Sequence, residues 1–256
     1  MREVRLGDII DDYCVKCKRI TNHAIVSLMS MAMLVSFSLE QNLGNGFYLP
    51  IHKRDFVRGT STAWDFVADD PRLPRVLLIG DSVSRGYTLP VRAALAGRAN
   101  VHRPPVNCGD TARGVQSVDA WLGTGKWDVI HFNFGLHDLK IMEGGKRQVE
   151  TADYEKHLRA MVAEMRKTGA KLVFATTTPV PAGKLNPPRA FGDVAVYNQI
   201  ALKVMSEQGV AIDDLNAAIA PDLAKLQLPN NVHFTAAGYE ALAQAVVKSL
   251  RKELGK

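Results

Sequence analysis

A serine at the end of an apolar run is the residue whose position in this chain most strongly indicates chemistry. The sequence Gly-Asp-Ser-Val at 80–83 follows the run Val76–Ile79 and places Ser82 just before a segment with helical spacing. A serine that ends a buried strand and begins a helix lies on a sharp turn, beside the free N–H groups of that helix. Such groups can stabilise negative charge that develops on a bound carbonyl oxygen. The same position also suits a serine that only caps the helix.

Three further polar motifs lie in predicted loops. Asn107–Gly114 (NCGDTARG) and Asn133–Asp138 (NFGLHD) each follow a predicted strand. Leu228–Tyr239 (LPNNVHFTAAGY) leads into the last predicted helix. Each motif also has an interpretation without chemistry: a turn, a helix-capping aspartate beside a surface histidine, or a histidine that precedes a capped helix.

In this order, the four motifs resemble blocks I, II, III and V of the SGNH (GDSL-like) hydrolases, a family of serine esterases and acyl hydrolases. The resemblance covers residues from about 75 to 250. It implies that Ser82 is the nucleophile and that His233 is the general base, which takes the serine proton and returns it to the leaving alcohol. It also implies an oxyanion hole formed by the backbone N–H groups of Ser82 and Gly109 and by the side chain of His137. The residues expected to bind substrate are Asp81, Asp138 and Arg113.

Two positions depart from the pattern of the family. Block III is G-x-N-D, in which the asparagine donates to the oxyanion, whereas this chain has His137, whose imidazole N–H can also donate. The family has an aspartate three residues before the histidine, whereas this chain has Asn230, with Asn231 beside it. An asparagine can fix the tautomer of the histidine through its carbonyl oxygen, but it cannot stabilise imidazolium by charge. A backbone carbonyl, or Asp213 or Asp214 at the end of a predicted strand, could take this place instead.

Short apolar runs alternate with helical patterns from Arg75 onward, as in βαβ units whose parallel sheet is covered on both faces. The predicted strands are Arg75–Ile79, Asn100–Arg103, Trp127–Phe134, Ala170–Thr176 and Val210–Asp213. The predicted helices run from near Ser82 to Leu95 and over Val115–Leu122, Ala152–Thr168, Val194–Gln208 and Ala236–Leu254. The resemblance implies an α/β fold, a three-layer α/β/α sandwich with a five-stranded parallel sheet in the flavodoxin-like strand order 2-1-3-4-5. Ligands of such sheets bind at the carboxyl ends of the strands, where the motifs lie.

The length of 256 residues and the apolar content of 46% fit one α/β domain with an extension. Residues 1–58 lack the strand–helix alternation and are assigned as an N-terminal extension, and residues 59–256 as the SGNH hydrolase-like domain. The net charge of +6 is modest, and no run of basic residues alternates with aromatic ones, which argues against nucleic acid as a partner. Basic residues on the predicted site loops either favour an acidic substrate or form a solvated rim; they are Arg103, Arg113, Lys146, Arg147, Lys184 and Arg189.

The N-terminal extension contains an uncharged apolar stretch at 24–39, with basic residues just before it. This pattern is typical of a secretory signal peptide and favours export to the periplasm or the medium. A membrane anchor, a buried helix and a cytoplasmic location stay open as alternatives. Cys14 and Cys17 form a C-x-x-C pair without a second pair of similar spacing, so incidental thiols are favoured over a zinc site.

The function expected from these observations is hydrolysis of a carboxylic ester through an acyl-enzyme on Ser82, without metal or organic cofactor. The expected partner is a small ester or an acylated carbohydrate, and the resemblance suggests small acyl groups such as acetyl on carbohydrate. Membrane contact is expected only through an N-terminal anchor. One alternative is a non-catalytic binding protein on the same scaffold, because the usual aspartate is missing. Another is an acyltransferase that uses Ser82 and His233 to acylate an acceptor other than water.

Overall fold

A computed structural model of the chain describes residues 9–10, 13–14, 19–20, 23–24, 63–65 and 67–255. Near the N-terminus, four two-residue strands form two antiparallel pairs: β1 (Ile9–Ile10) with β4 (His23–Ala24), and β2 (Tyr13–Cys14) with β3 (Arg19–Ile20). Cys17 and the apolar stretch beyond Ala24 lie outside the described residues. The predictions of a signal peptide, an anchor and incidental thiols therefore stay predictions.

Five parallel strands form the central sheet. They are β5 (Arg75–Ile79), β6 (Asn100–His102), β7 (Val129–Phe132), β8 (Lys171–Ala175) and β9 (Ala211–Asp213). They lie in the order β6-β5-β7-β8-β9, which confirms the predicted order 2-1-3-4-5. Strand β5 has the predicted bounds, and the other four strands are one or two residues shorter than predicted at one end or at both.

In the described part of the chain, seven α-helices connect or flank these strands. They are α1 (Ser82–Ala94), α2 (Thr111–Leu122), α3 (Thr151–Arg166), α4 (Asp193–Glu207), α5 (Leu215–Ile219), α6 (Leu223–Leu226) and α7 (Ala236–Leu254). Single 3-10 turns lie at Glu143–Gly145 and Ala220–Asp222. Helix α2 begins four residues earlier than predicted because Asp110 accepts the N–H of Arg113 and caps it. Helices α5 and α6 were not predicted.

The helices form two layers that cover the sheet. Helices α1 and α7 pack against each other, and α2, α3 and α4 pack in series. The α1–α7 crossing is close at Gly86, where an added Cβ would lie 2.0 Å from Cε1 of Tyr239. This contact joins the helix that begins at Ser82 to the helix that follows His233.

The core lies on both faces of the central strands. Val76, Leu77 and Leu78 of β5 are completely buried, as are Ile130 and Phe132 of β7. Burial of each such side chain contributes about 1.5–3 kcal/mol, so the strand ends that carry the polar motifs are firmly anchored. Among the described residues, no helix combines the length and apolar character needed to cross a bilayer.

Candidate active site

Ser82 is the first residue of α1 and directly follows the turn that ends β5. Asp81 caps the helix, because its carboxylate accepts the N–H of Val83 at 2.8 Å. The N–H of Ser82 lies in the first turn of α1, where backbone donors have no helical acceptor. The local sequence therefore presents the serine hydroxyl next to an unsatisfied backbone donor.

Arg103 supports the turn between β5 and α1 through buried hydrogen bonds. Its side chain is buried, and its guanidinium donates to the carbonyl of Gly80 at 3.3 Å and to the hydroxyls of Ser84 and Thr88 at 3.2 and 3.1 Å. The same guanidinium lies 4.8 Å from the ring centroid of Trp64. Arg103 thus belongs to the scaffold of the turn before Ser82 and not to a solvated rim, which corrects the sequence-based interpretation of this residue.

The structure brings Ser82 and His233 together. The Ser82 Oγ lies 2.7 Å from His233 Nε2, although the two residues are 151 positions apart in the chain. A hydrogen bond of this length is suited to transfer of the hydroxyl proton to the imidazole. The helix-cap interpretation of Ser82 does not account for this contact, because the capping side chain of α1 is that of Asp81.

Asn231 orients the histidine. Its Oδ1 lies 2.8 Å from His233 Nδ1 and also accepts the backbone N–H of His233 at 3.0 Å. Since the backbone N–H can only donate, the atom facing both nitrogens is the amide oxygen. His233 therefore carries its proton on Nδ1 and presents the lone pair of Nε2 to Ser82. Asn230 is exposed, has a φ of 50° and takes no part in this contact.

The loop that holds His233 closes on itself. The N–H of Leu228 donates to the carbonyl of His233 at 2.9 Å, and the N–H of Thr235 donates to the carbonyl of Leu226 at 2.8 Å. Thr235 then caps α7 by accepting the N–H of Gly238. The histidine is thereby held between a closed loop and the start of the last helix.

The two aspartates at the end of β9 are engaged elsewhere. Asp213 Oδ2 lies 2.9 Å from Nε2 of the buried His131, and Asp214 accepts the hydroxyl of Thr176 at 2.8 Å while it caps α5. Neither contacts His233, so the amide of Asn231 is the group on its Nδ1. Among the residues that the structure describes, no cluster of three His, Cys, Asp or Glu side chains is placed to hold a metal ion.

The electrostatic surroundings favour neutral His233. Burial lowers the pKa of His233; Asp81 opposes this shift, while Arg85 and Arg189 lower the pKa further. A neutral imidazole is the form that can accept the serine proton.

Gly109 lies in a loop beside the turn that precedes Ser82, and the loop is held there because the N–H of Cys108 donates to the carbonyl of Gly80 at 3.2 Å. Its φ of 71° lies in the left-handed region that glycine adopts most readily. In this structure the N–H of Gly109 donates to Asn107 Oδ1 at 3.0 Å. The glycine predicted as an oxyanion donor thus lies next to this turn, and Asn107 accepts its N–H in this structure.

His137 follows Gly135 in the turn after β7. Lys140 Nζ lies 2.9 Å from His137 Nδ1. An ammonium group can only donate, so Nδ1 accepts and the proton of the imidazole lies on Nε2. Burial lowers the pKa of His137; Asp81 opposes this, and Lys140 and Arg189 lower the pKa further. The residue is therefore a neutral imidazole with one N–H donor.

The residues predicted to bind substrate have internal contacts. Asp81 is buried and caps α1, and the completely buried Asp138 accepts the N–H of Thr111 at 2.8 Å at the start of α2. Burial raises the pKa of Asp138 to about 7. Arg113 is half-buried in the first turn of α2, and its Cδ would lie 3.3 Å from a Cβ added at Gly109. Of the three, only Arg113 lies next to a predicted oxyanion donor with part of its side chain exposed.

Lys140 was not identified from the sequence, and Arg189 was assigned only as a basic loop residue. Their backbones pair across an isolated antiparallel bridge, Lys140 with Arg189. The signal that points to Lys140 is its position three residues after His137, because the intervening turn returns its side chain to the imidazole. That spacing is informative only once the turn is known.

Comparison with known proteins agrees with this geometry. The family model of the GDSL-like lipase/acylhydrolase family matches residues 78–241, which include Ser82, Gly109, His137 and His233. No curated protein matches the chain significantly.

Solved structures with similar folds include enzymes that act on esters. A lipase/acylhydrolase from Enterococcus faecalis is 20% identical, with a TM-score of 0.62, over 70% of this chain and 96% of that chain. An acetyl xylan esterase, AlAXEase, is 15% identical, with a TM-score of 0.60, over 69% and 99%. A catalytic mutant of an acetylxylan esterase from Geobacillus stearothermophilus is 18% identical, with a TM-score of 0.56, over 71% and 94%.

The family match spans well over half of the chain and contains the serine and the histidine that the fold brings together. The strand order is the one predicted from the resemblance to the same family. The chain belongs to the GDSL-like lipase/acylhydrolase family and is a carboxylic ester hydrolase of the SGNH type.

Proposed function

We propose that this protein hydrolyses small acyl esters, with acetyl on carbohydrate as the preferred class, through an acyl-enzyme on Ser82. The observation that carries the proposal is the 2.7 Å contact between Ser82 Oγ and His233 Nε2. The acyl group is chosen by analogy, because two of the solved structures described above are acetyl xylan esterases.

In the first half of the reaction, Ser82 Oγ attacks the ester carbonyl while His233 Nε2 takes the hydroxyl proton. The C–O bond to the alcohol then breaks, and the imidazolium returns that proton to the leaving oxygen. In the second half, His233 takes a proton from water, whose oxygen attacks the acyl-enzyme. The proton then passes to Ser82 Oγ as the acid leaves, which restores the resting state.

The negative charge of the tetrahedral intermediate needs donors in fixed positions. The N–H of Ser82 and the Nε2–H of His137 are the two donors that this proposal assigns to it. The N–H of Gly109 becomes a third when the oxyanion replaces Asn107 Oδ1 as its acceptor. Loss of one such donor typically lowers kcat by about 10²–10³-fold.

The imidazolium that forms during each step lacks a carboxylate on Nδ1. Asn231 holds the tautomer and the ring orientation through a neutral amide, as the asparagine of Cys-His-Asn proteases does. The proposed enzyme therefore works as a Ser-His pair with amide support, and we expect a modest turnover number for activated esters.

Hydrolysis of 4-nitrophenyl acetate by the wild type and by Ser82→Ala tests the proposal. We expect the variant to lose activity while its circular dichroism spectrum and its melting temperature stay unchanged. Ser206→Ala, at an exposed serine near the end of α4, is the matched control and should keep full activity. Equal turnover by wild type and Ser82→Ala would refute the mechanism.

Labelling with a fluorophosphonate probe separates the enzyme from a binding protein on the same scaffold. We expect Ser82 to be labelled in the wild type and the label to be absent in His233→Ala. A wild type that stays unlabelled and inactive would favour the binding protein.

Replacement of His137 tests its assignment as an oxyanion donor. His137→Ala should lower kcat by about 10²-fold or more. His137→Asn restores the residue that the family has at this position and should keep most of the activity. Equal activity of wild type and His137→Ala would remove His137 from the oxyanion hole.

A further inference from the structure

Lys140 and Arg189 place two positive charges side by side next to the candidate site. Their backbones form an isolated antiparallel bridge. Residues that face each other across such a bridge have Cβ atoms about 4.5–5.5 Å apart, and like charges in this arrangement destabilise the pairing. Within residues 63–65 and 67–255, no carboxylate oxygen lies within 4.0 Å of either cationic group. The fold therefore maintains a repulsive pair with no carboxylate of the described residues in direct contact, although Asp81, Asp110 and Asp138 act on Lys140 from farther away.

Arg189 is the more buried of the two cations, with 9% of its surface exposed. Its Nε donates to the carbonyl of Leu136 at 2.9 Å and its Nη1 to the carbonyl of Pro187 at 3.1 Å. Both acceptors are neutral, and Nη2 makes no hydrogen bond to the described part of the chain. Burial lowers the pKa of Arg189, with Asp81 as the carboxylate that opposes the shift. A buried guanidinium without an ion pair is costly, so its retention needs an explanation.

Lys140 contributes a second set of donors. Its side chain is half-buried, and one of its three ammonium donors is used by His137 Nδ1 at 2.9 Å. The other two remain available for an anion. Because Lys140 contacts His137 and Arg189 donates to the carbonyl of Leu136, the residue before His137, both cations lie beside this histidine.

We propose that Lys140 and Arg189 form an anion subsite and that the natural ester carries a carboxylate close to the bond that is cleaved. The free Nη donors of Arg189 and the ammonium of Lys140 together match a carboxylate, since charge-assisted hydrogen bonds are the stronger class. An O-acetylated acidic sugar has this chemistry, whereas an acetylated neutral sugar lacks it. This inference rests on the proposed function, of which it specifies the substrate.

A matched pair of acetate esters tests the inference. The anionic member is 4-acetoxybenzoate, and the neutral member is its methyl ester. The readout is the ratio of kcat/KM for the anionic ester to that for the neutral ester. We expect Arg189→Met and Lys140→Met each to lower this ratio by about tenfold, the effect of one lost charge-assisted hydrogen bond. Added NaCl should lower the ratio in the wild type, because it screens exposed charges.

Lys184→Met is the control for a general loss of positive charge. Lys184 is exposed on the same loop as Arg189, so its removal changes the net charge equally without touching the subsite. We expect this variant to keep the wild-type ratio. Arg189→Lys keeps the charge and loses the fork, and should give an intermediate ratio even if Arg189→Met fails to fold.

The outcomes that overturn the subsite differ from those that overturn the esterase. A ratio that stays at the wild-type value in Lys140→Met and Arg189→Lys refutes the subsite. Equal slowing of both esters also refutes it, because the cations would then act on the oxyanion or on folding. If Ser82→Ala hydrolyses both esters at the wild-type rate, the proposed function itself fails, whatever the ratio.

Discussion

The amide oxygen of Asn231 lies 2.8 Å from the Nδ1 of His233 and simultaneously accepts the backbone N–H of the same histidine. This pairing fixes which ring nitrogen faces Ser82. It provides orientation without charge, because an amide stays neutral throughout the proton transfer. The structure thus separates two roles that an aspartate combines in most serine hydrolases.

Asn231→Asp should raise kcat/KM for 4-nitrophenyl acetate by at least about tenfold, because a carboxylate stabilises the imidazolium in the transition state. In a triad elsewhere, the reverse change costs about 10⁴-fold in kcat. Asn230→Asp is the matched control: it adds the same charge one residue away, on a side chain without a contact to His233. Acceleration by Asn230→Asp alone would show that the loop rearranges during catalysis and that Asn231 is not the partner.

The acid limb of the pH–rate profile should lie below the ordinary histidine pKa of about 6.5. Burial lowers the pKa of His233, and Arg85 and Arg189 add to this shift, so the neutral base persists into mildly acidic solution. Removal of one of these cations should raise the pKa of His233. Arg85→Gln should therefore move the limb to higher pH, by an amount that shrinks in high salt. Lys248→Gln, on the exposed part of α7, should leave the limb in place; a limb at or above pH 7 in the wild type would contradict the prediction.

Asp138 should make the free energy of unfolding fall as pH rises. Burial raises its pKa to about 7 in the folded protein, against about 3.9 in the unfolded chain. Between these values the folded state binds the extra proton, so stability decreases with pH, with a limiting slope of about 1.4 kcal/mol per pH unit for one proton. Well above pH 7 the carboxyl is ionised in both states, and its stabilisation of the folded state at low pH has been lost in full.

Urea unfolding at pH 4.5, 5.5, 6.5 and 7.5 measures this slope in the wild type and in Asp138→Asn. The asparagine variant keeps an amide oxygen that can accept from Thr111 but has no titratable proton, so it should lack this slope. The stability of the wild type relative to the variant should therefore fall as pH rises. Parallel curves would show that Asp138 is ionised throughout this range.

Gly86→Ala should destabilise the fold by about 1–3 kcal/mol, because its Cβ would lie 2.0 Å from the rigid ring of Tyr239. Since the affected helices carry Ser82 and follow His233, activity should fall as well. Gly192→Ala is the control, because an added Cβ meets nothing within 4 Å there. Gly86→Ala combined with Tyr239→Ala should lose less stability than the sum of the single changes. Full additivity would mean that the methyl group added at position 86 does not clash with the ring of Tyr239.

The resemblance to the family predicted the order of the strands, the layers and the meeting of Ser82 with His233, and the patterns of the sequence agree with it. Apolar runs between helical patterns define a parallel sheet, and the chain order of four motifs places them on one edge of it. Helices α5 and α6 were missed because segments of five and four residues carry too little periodicity to detect.

The sequence left the partner of His233 open among several side chains. Asn230 and Asn231 are adjacent and chemically identical, and the choice between them depends on a left-handed backbone at Asn230. Asp213 is another candidate partner of His233 by its place in the sequence, but in the structure it pairs with the buried His131. Which side chain contacts His233 is determined by the conformation of a turn and by competing partners far away in the chain. Neither leaves a local pattern in the sequence.

The closed loop around His233 has a consequence for how this enzyme tolerates change. In a triad whose acid comes from a distant strand, any shift between two parts of the fold misaligns the ring. Here His233 and Asn231, which orients its imidazole, are two residues apart and are held by backbone hydrogen bonds of the same short loop. A substitution elsewhere in the molecule can change the distance between His233 and Ser82, but the orientation of the imidazole is fixed within its own loop.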